Sequence, residues 1–185
     1  MTAQSTINFD HPRQQALAAM RASLPSDEWH KNTSYAQSLR LAMGAHPVTR
    51  HPAIAWLNSG QLGQTALQKI HLEYRHAIVQ IFTDALLAAQ LQSRQLEPRL
   101  HPGAKMAPRC LLTLNVLDEF GFRPGRDAVG YYRANPSQAH YPLFEQVMEE
   151  YGISEQMRRD FTPSKPAQMV RQYLESHLDN YGISD

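Results

Sequence analysis

Apolar residues recur at three- and four-residue steps through residues 67–91, LQKIHLEYRHAIVQIFTDALLAAQL. Leu67, Ile70, Tyr74, Ala77, Ile78, Ile81, Ala85 and Leu86 fall on one helical face, with no Gly or Pro among them. The spacing predicts a central helix, unbroken over 67–91, with most of that face buried. Shorter patterns predict helices over 12–23, where Pro12 suits a first turn, and over 35–43, preceded by Asn32, Thr33 and Ser34 and stopped at Gly44. Further helices are expected over 53–57, 109–120, 143–151 and 166–181. The helix over 109–120, RCLLTLNVLDEF, is apolar on nearly every side and is expected to be buried by several neighbours. Prolines and glycines assign 97–108 and 122–142 to loops. No run of strict two-residue alternation bounded by hairpin turns occurs, so the expected class is all-α.

At 185 residues the chain predicts one helical domain over 1–185, with a loose arm at 1–11. A net charge of +1 with no block of like charge argues against nucleic acid or an anionic membrane as partner. The first residues lack the basic-then-apolar order of a signal peptide, and the single cysteine, Cys110, suits a reducing compartment. A cytoplasmic protein is expected, with the Cys110 thiol packed inside an apolar run. Of nine histidines, His46, His51 and His101 each precede a proline and are assigned structural roles.

Glu73 and His76 are three residues apart, so a helix sets their side chains one turn apart, and Gln80 and Asp84 continue the line. A carboxylate and an imidazole at this spacing are what helical bundles use to hold an ion, with further carboxylates arriving from facing helices. The same spacing also describes an ordinary solvated stripe. Asp118 and Glu119 interrupt the most apolar helix: either Glu119 faces Glu73 and His76 across an ion, or the acidic pair solvates a helix end beside Gly121. Tyr131, Tyr132 and Tyr141 are candidates for lining a pocket. There is no Gly-rich phosphate loop, no nucleophile elbow, no H-E-x-x-H and no C-x-x-C.

Three stretches, in this order, resemble the haem-oxygenase-like iron-containing redox enzymes: HPAIAWLNSGQLGQTALQKIHLEYRH, NVLDEFG and HYPLFEQVMEEYGI, together spanning about residues 51–153. The resemblance implies a haem-oxygenase-like multi-helical bundle. It makes Glu73, His76 and Glu119 metal ligands, His140 a supporting residue, and iron, as one ion or two, the metal, with manganese an alternative. No haem or nucleotide motif accompanies it. The activity implied is dioxygen activation for oxidation of a small organic substrate such as an amino acid, an amine or an organic acid. The chain departs from that family where a later helix completes the ligand set, since Glu175, His177 and Asp179 have a different spacing. Core helices left bare on that side are expected to make the chain a homo-oligomer or part of a longer protein. The alternative is a metal-free helical binding or assembly module whose interior stripe is satisfied by hydrogen bonds.

Overall fold

The computed structural model describes residues 12–97, 99–124 and 132–178. In chain order these form α1 (Pro12–Ala22), α2 (Ser26–Ala45), α3 (Pro52–Asn58), α4 (Gln64–Ala77), α5 (Phe82–Gln92), α6 (Met106–Glu119), β1 (Phe122–Pro124), β2 (Tyr132–Ala134), α7 (His140–Glu150), α8 (Glu155–Asp160) and α9 (Lys165–Leu178). The class is all-α. The two strands make one short antiparallel ladder, Phe122 opposite Ala134, in a stretch that the sequence pattern assigned wholly to loop. Among the described residues no helix is long and apolar enough to cross a membrane.

The central helix is not continuous. Ala77 ends α4, Ile78 adopts φ −127 and ψ −59, and Val79–Ile81 make a 3-10 turn before α5 begins. Ile78, Val79 and Ile81 are β-branched, and such side chains crowd the preceding helical turn, so a helix yields here without Gly or Pro. α2 starts at Ser26, well before the Asn32 expected, because Asp27 and Glu28 place negative charge in its first turn against the helix dipole. α6 starts at Met106, with Pro108 in the first turn, where a missing N–H leaves no intrahelical bond unmade. The short α8, absent from the pattern, is capped by Ser154, whose Oγ accepts from the Met157 N–H at 3.1 Å. His46 and His51 are structural, as expected: each Nδ1 accepts a backbone N–H two residues on, from Val48 and Ala53, at 3.2 Å.

α6 packs against α1 and α5, and α9 packs against α4 and α5. The core gathers Leu72 of α4, Met148 of α7 and Ile153, with Phe144, Tyr151 and Phe161 around them. Met148 and Ile153 are 0% and 1% exposed. Three hydrogen bonds fasten α7 and its C-terminal end to α4: Arg75 donates to Glu145 at 2.5 Å and to the Tyr141 hydroxyl at 3.1 Å, and the Gln68 amide donates to the Tyr151 carbonyl at 2.9 Å. Burial is lighter than the apolar pattern predicts. Ala77 and Ile81 are buried, but Ile70 and Tyr74 are exposed. On α6 Val116 is buried and Leu111, Leu112, Leu114 and Leu117 are only partly covered. Cys110 is exposed, which corrects the expectation of a packed thiol.

At the surface, Glu97 accepts from the Lys105 ammonium at 2.7 Å and the Gly103 N–H at 3.1 Å, closing the loop before α6. The ammonium first, and the backbone N–H after it, hold the carboxyl below its ordinary 4.5. A carboxylate lowered in the folded state contributes stability that is present above the unfolded value and lost as pH falls through the folded one. The stability difference between the wild type and Glu97→Gln is therefore expected to shrink on acidification below 4.5, read from urea midpoints at neutral and acid pH. In the core, Met148→Ala is expected to cost about 2–5 kcal/mol, and Met169→Ala at an exposed site well under about 1 kcal/mol, in the same denaturation assay.

Candidate functional site

Glu73 and His76 on α4, and Gln80 in the turn after it, come up against α9 and the residue before it. The backbone N–H of Ser164, immediately before α9, donates to both carboxylate oxygens of Glu73, at 3.2 and 3.1 Å. A carboxylate at the first turn of a helix is favoured by the aligned peptide dipoles. One turn into α9, Arg171 donates through Nη1 to the His76 carbonyl at 2.9 Å and to Gln80 Oε1 at 3.4 Å, and through Nε to Glu175 at 2.5 Å. A backbone donor and a guanidinium thus meet this stripe. The His177 imidazole bonds the Tyr173 carbonyl at 2.7 Å and stacks beside the Tyr173 ring. Asp179 lies outside the described residues.

Glu119 takes a different partner. Gly121 follows α6 with φ +77, and a Cβ on it would lie 2.4 Å from the Asn135 carbonyl oxygen and 2.7 Å from the Ala139 nitrogen. Only glycine allows that approach. Asn135 also donates its N–H to the Gly121 carbonyl at 3.2 Å, and its side chain caps the following turn at Ser137. The turn is therefore pressed onto the end of α6, and α7 leaves it with His140 as its first residue. From there His140 Nδ1 reaches Glu119 Oε1 at 2.9 Å, while Nε2 is 3.8 Å from Asp118 Oδ2. The two groups stand at ion-pair distance, oppositely charged when the imidazole carries its second proton. Glu119 is 13% exposed and His140 49%.

The pair lines a cleft of about 240 Å³ bounded by Tyr74, Phe82, Tyr141 and Phe144, with Ile78 and Val79 between them. Tyr74 and Ile78 are the α4 residues on this side. Tyr74 sits about 100° around the helix from Glu73, so the cleft and the Glu73 line occupy different faces. Arg75 lies over the Tyr141 ring at 5.8 Å, so one aromatic face is already matched to a cation. Among the described residues, no group of three or more His, Cys, Asp or Glu side chains is arranged to hold a metal ion. The Glu73 carboxylate meets Ser164 at the start of α9 and Glu119 meets His140, and the three residues expected to share iron or manganese do not form one donor set as placed. Tyr141 takes part as expected, although its hydroxyl is engaged by Arg75. Tyr131 lies outside the described residues.

Two participants escaped the sequence pattern. Arg171 carried no signal beyond an i,i+4 pairing with Glu175. The contact between Glu119 and His140 had one local clue, Gly121, but a glycine after a helix reads first as a helix stop. No family model, curated protein or solved structure matches the chain. Gly121→Ala is expected to destabilise the protein by about 1–3 kcal/mol through strain at the left-handed position, and to part His140 from Glu119. A lower melting temperature together with a shift of the His140 imidazole NMR resonance checks it.

Proposed function

We propose that this chain is a helical binding module, in the cytoplasm and as a homo-oligomer, that takes a small amine-bearing organic molecule in the cleft beside Glu119. The observation that carries the proposal is the pairing of Glu119 with His140 at a cleft walled by aromatic rings. A mostly buried carboxylate in such a setting favours a cationic ligand, because the carboxylate answers its charge and the ring faces add quadrupole attraction. An organic anion meets repulsion from Glu119 and Asp118. The bonds from Ser164 and Arg171 to the Glu73 line support the metal-free form of the module. Loss of a hydrogen bond to a charged group is worth about 1.5–3 kcal/mol. Calorimetric titration with aromatic amines and carboxylic acids of matched size is expected to show binding of the amines only, weakened roughly 10- to 100-fold by Glu119→Gln. Equal binding of acids, or no effect of the substitution, would sink it.

A second reading keeps the haem-oxygenase-like bundle and iron-dependent oxidation of a small organic substrate. What supports it is Glu119, the residue matched to that family's second-helix ligand, which has an imidazole beside it. Metal analysis of protein produced in iron-supplemented medium separates the two. Stoichiometric iron lost in both His76→Ala and Glu119→Gln favours the oxidase, and trace iron unchanged by either favours the binding module.

A further inference from the structure

Every residue in 31–50 is exposed, including all of α2 beyond its first turn and a half. Helices in water draw most of their stability from packing, and one this lightly covered is marginal even at this length. α2 carries Tyr35, Leu39, Ala42 and Met43 at i, i+4, i+7 and i+8, an apolar stripe along one side of its second half. Tyr35, Leu39 and Met43 are 64%, 45% and 71% exposed, and Leu41, Ile54, Trp56 and Leu57 extend the bare surface onto the rest of α2 and α3. Leu41 lies on the opposite side of α2; at roughly 200 Å² for each large side chain, the other six leave on the order of 600 Å² of open surface. With the groove on the same copy, this approaches what one partner contributes to a standard stable interface, about 800 Å².

The same chain presents a complementary seat. Between α5 and α9 runs a groove of about 460 Å³, floored by Ala85, Ala88 and Ala89 and walled by Phe82, Leu174 and Leu178. Alanines at this spacing let a second helix approach closely, and among the described residues the groove is lined by no acidic or basic side chain apart from His177, matching an apolar stripe. On the α9 rim Val170 and Tyr173 are also exposed. We propose that the α2–α3 arm of one copy lies in the α5–α9 groove of a second copy, and the second arm in the first groove. A two-fold exchange of this kind covers both bare faces at once, and it closes at two copies because residue i meets j and j meets i. The inference names the surfaces behind the self-association proposed above; the groove adjoins the amine cleft and shares Ile78 and Phe82 with it, so the variants below are placed at residues outside the cleft.

Sedimentation velocity at micromolar concentration is expected to give twice the chain mass of 21.0 kDa. Leu39→Glu with Met43→Glu on the arm, and separately Ala88→Trp in the groove, are each expected to give monomers with unchanged amine binding and a loss of helix on circular dichroism no larger than α2 and α3 contribute. Where Ala88→Trp loses more helix than that, Val170→Glu on the groove rim replaces it. Mixing the arm variant with the groove variant leaves one intact arm and one intact groove, so a mixed dimer is expected to return. Three results overturn the exchange: a wild-type monomer, which assigns these faces to a different protein; a groove variant that stays dimeric, which means arm packs on arm; and mixed variants that stay apart.

Discussion

The close approach of the Asn135–Ala139 turn to Gly121 sets the geometry on which the candidate site depends. A turn can press onto a helix end only where no Cβ stands between them, and a Cβ at Gly121 would fall 2.4 Å from the Asn135 carbonyl oxygen. Because the turn is held there, α7 begins beside the last turn of α6, and its first residue is within hydrogen-bond distance of Glu119. The other end of α7 is fixed independently by Gln68 on the Tyr151 carbonyl and by the core around Met148. The cleft between α4, α6 and α7 is thus held at one end by the turn on Gly121 and at the other by Gln68 and the core, with Arg75 tying Tyr141 to α4 between them.

α9 resolves the polar line on α4 by a different means. Glu73, His76 and Gln80 would be costly against an apolar neighbour, since buried polar groups need partners. The start of α9 supplies a backbone N–H to Glu73, and Arg171 supplies a guanidinium to the His76 carbonyl and Gln80. A guanidinium is a fixed fork of donors that stays charged at any physiological pH. The Glu73 carboxylate and the Gln80 amide oxygen are therefore met within the chain, whereas Glu119 and His140 meet at the edge of a cleft.

The core is slight beside the apolar surface that remains outside it. Met148 and Ile153 are fully enclosed, while Leu41, Met43 and Trp56 stand more than half exposed. Burial on one side of the molecule and bare apolar faces on the other are two aspects of one arrangement: α4, α7 and α9 close around the core, and α2 and α3 contribute little to it. Stability of the arm then depends on whatever covers it, whereas the cleft depends only on the closed part.

Local chemistry was legible in the sequence. Three- and four-residue periodicity placed the main helices, prolines and glycines placed the loops, and the histidine-proline steps at His46 and His51 became caps, because each of these depends on neighbours in the chain. The i,i+3 spacing of Glu73 and His76 correctly set them along one line of α4. What that line faces was decided by long-range packing: Ser164 and Arg171 are about ninety residues away in the chain, and no periodicity carries such a distance. The break at Ile78 had the same origin, since β-branched residues tolerate a helix or end it according to what presses on them. The sequence by itself determined the helical class, most of the helices in outline and the residue types available for chemistry. Tertiary structure alone decided that Glu119 meets His140 rather than Glu73 and His76, because a pairing across chain segments depends on which backbones come close, and here Gly121 decides that.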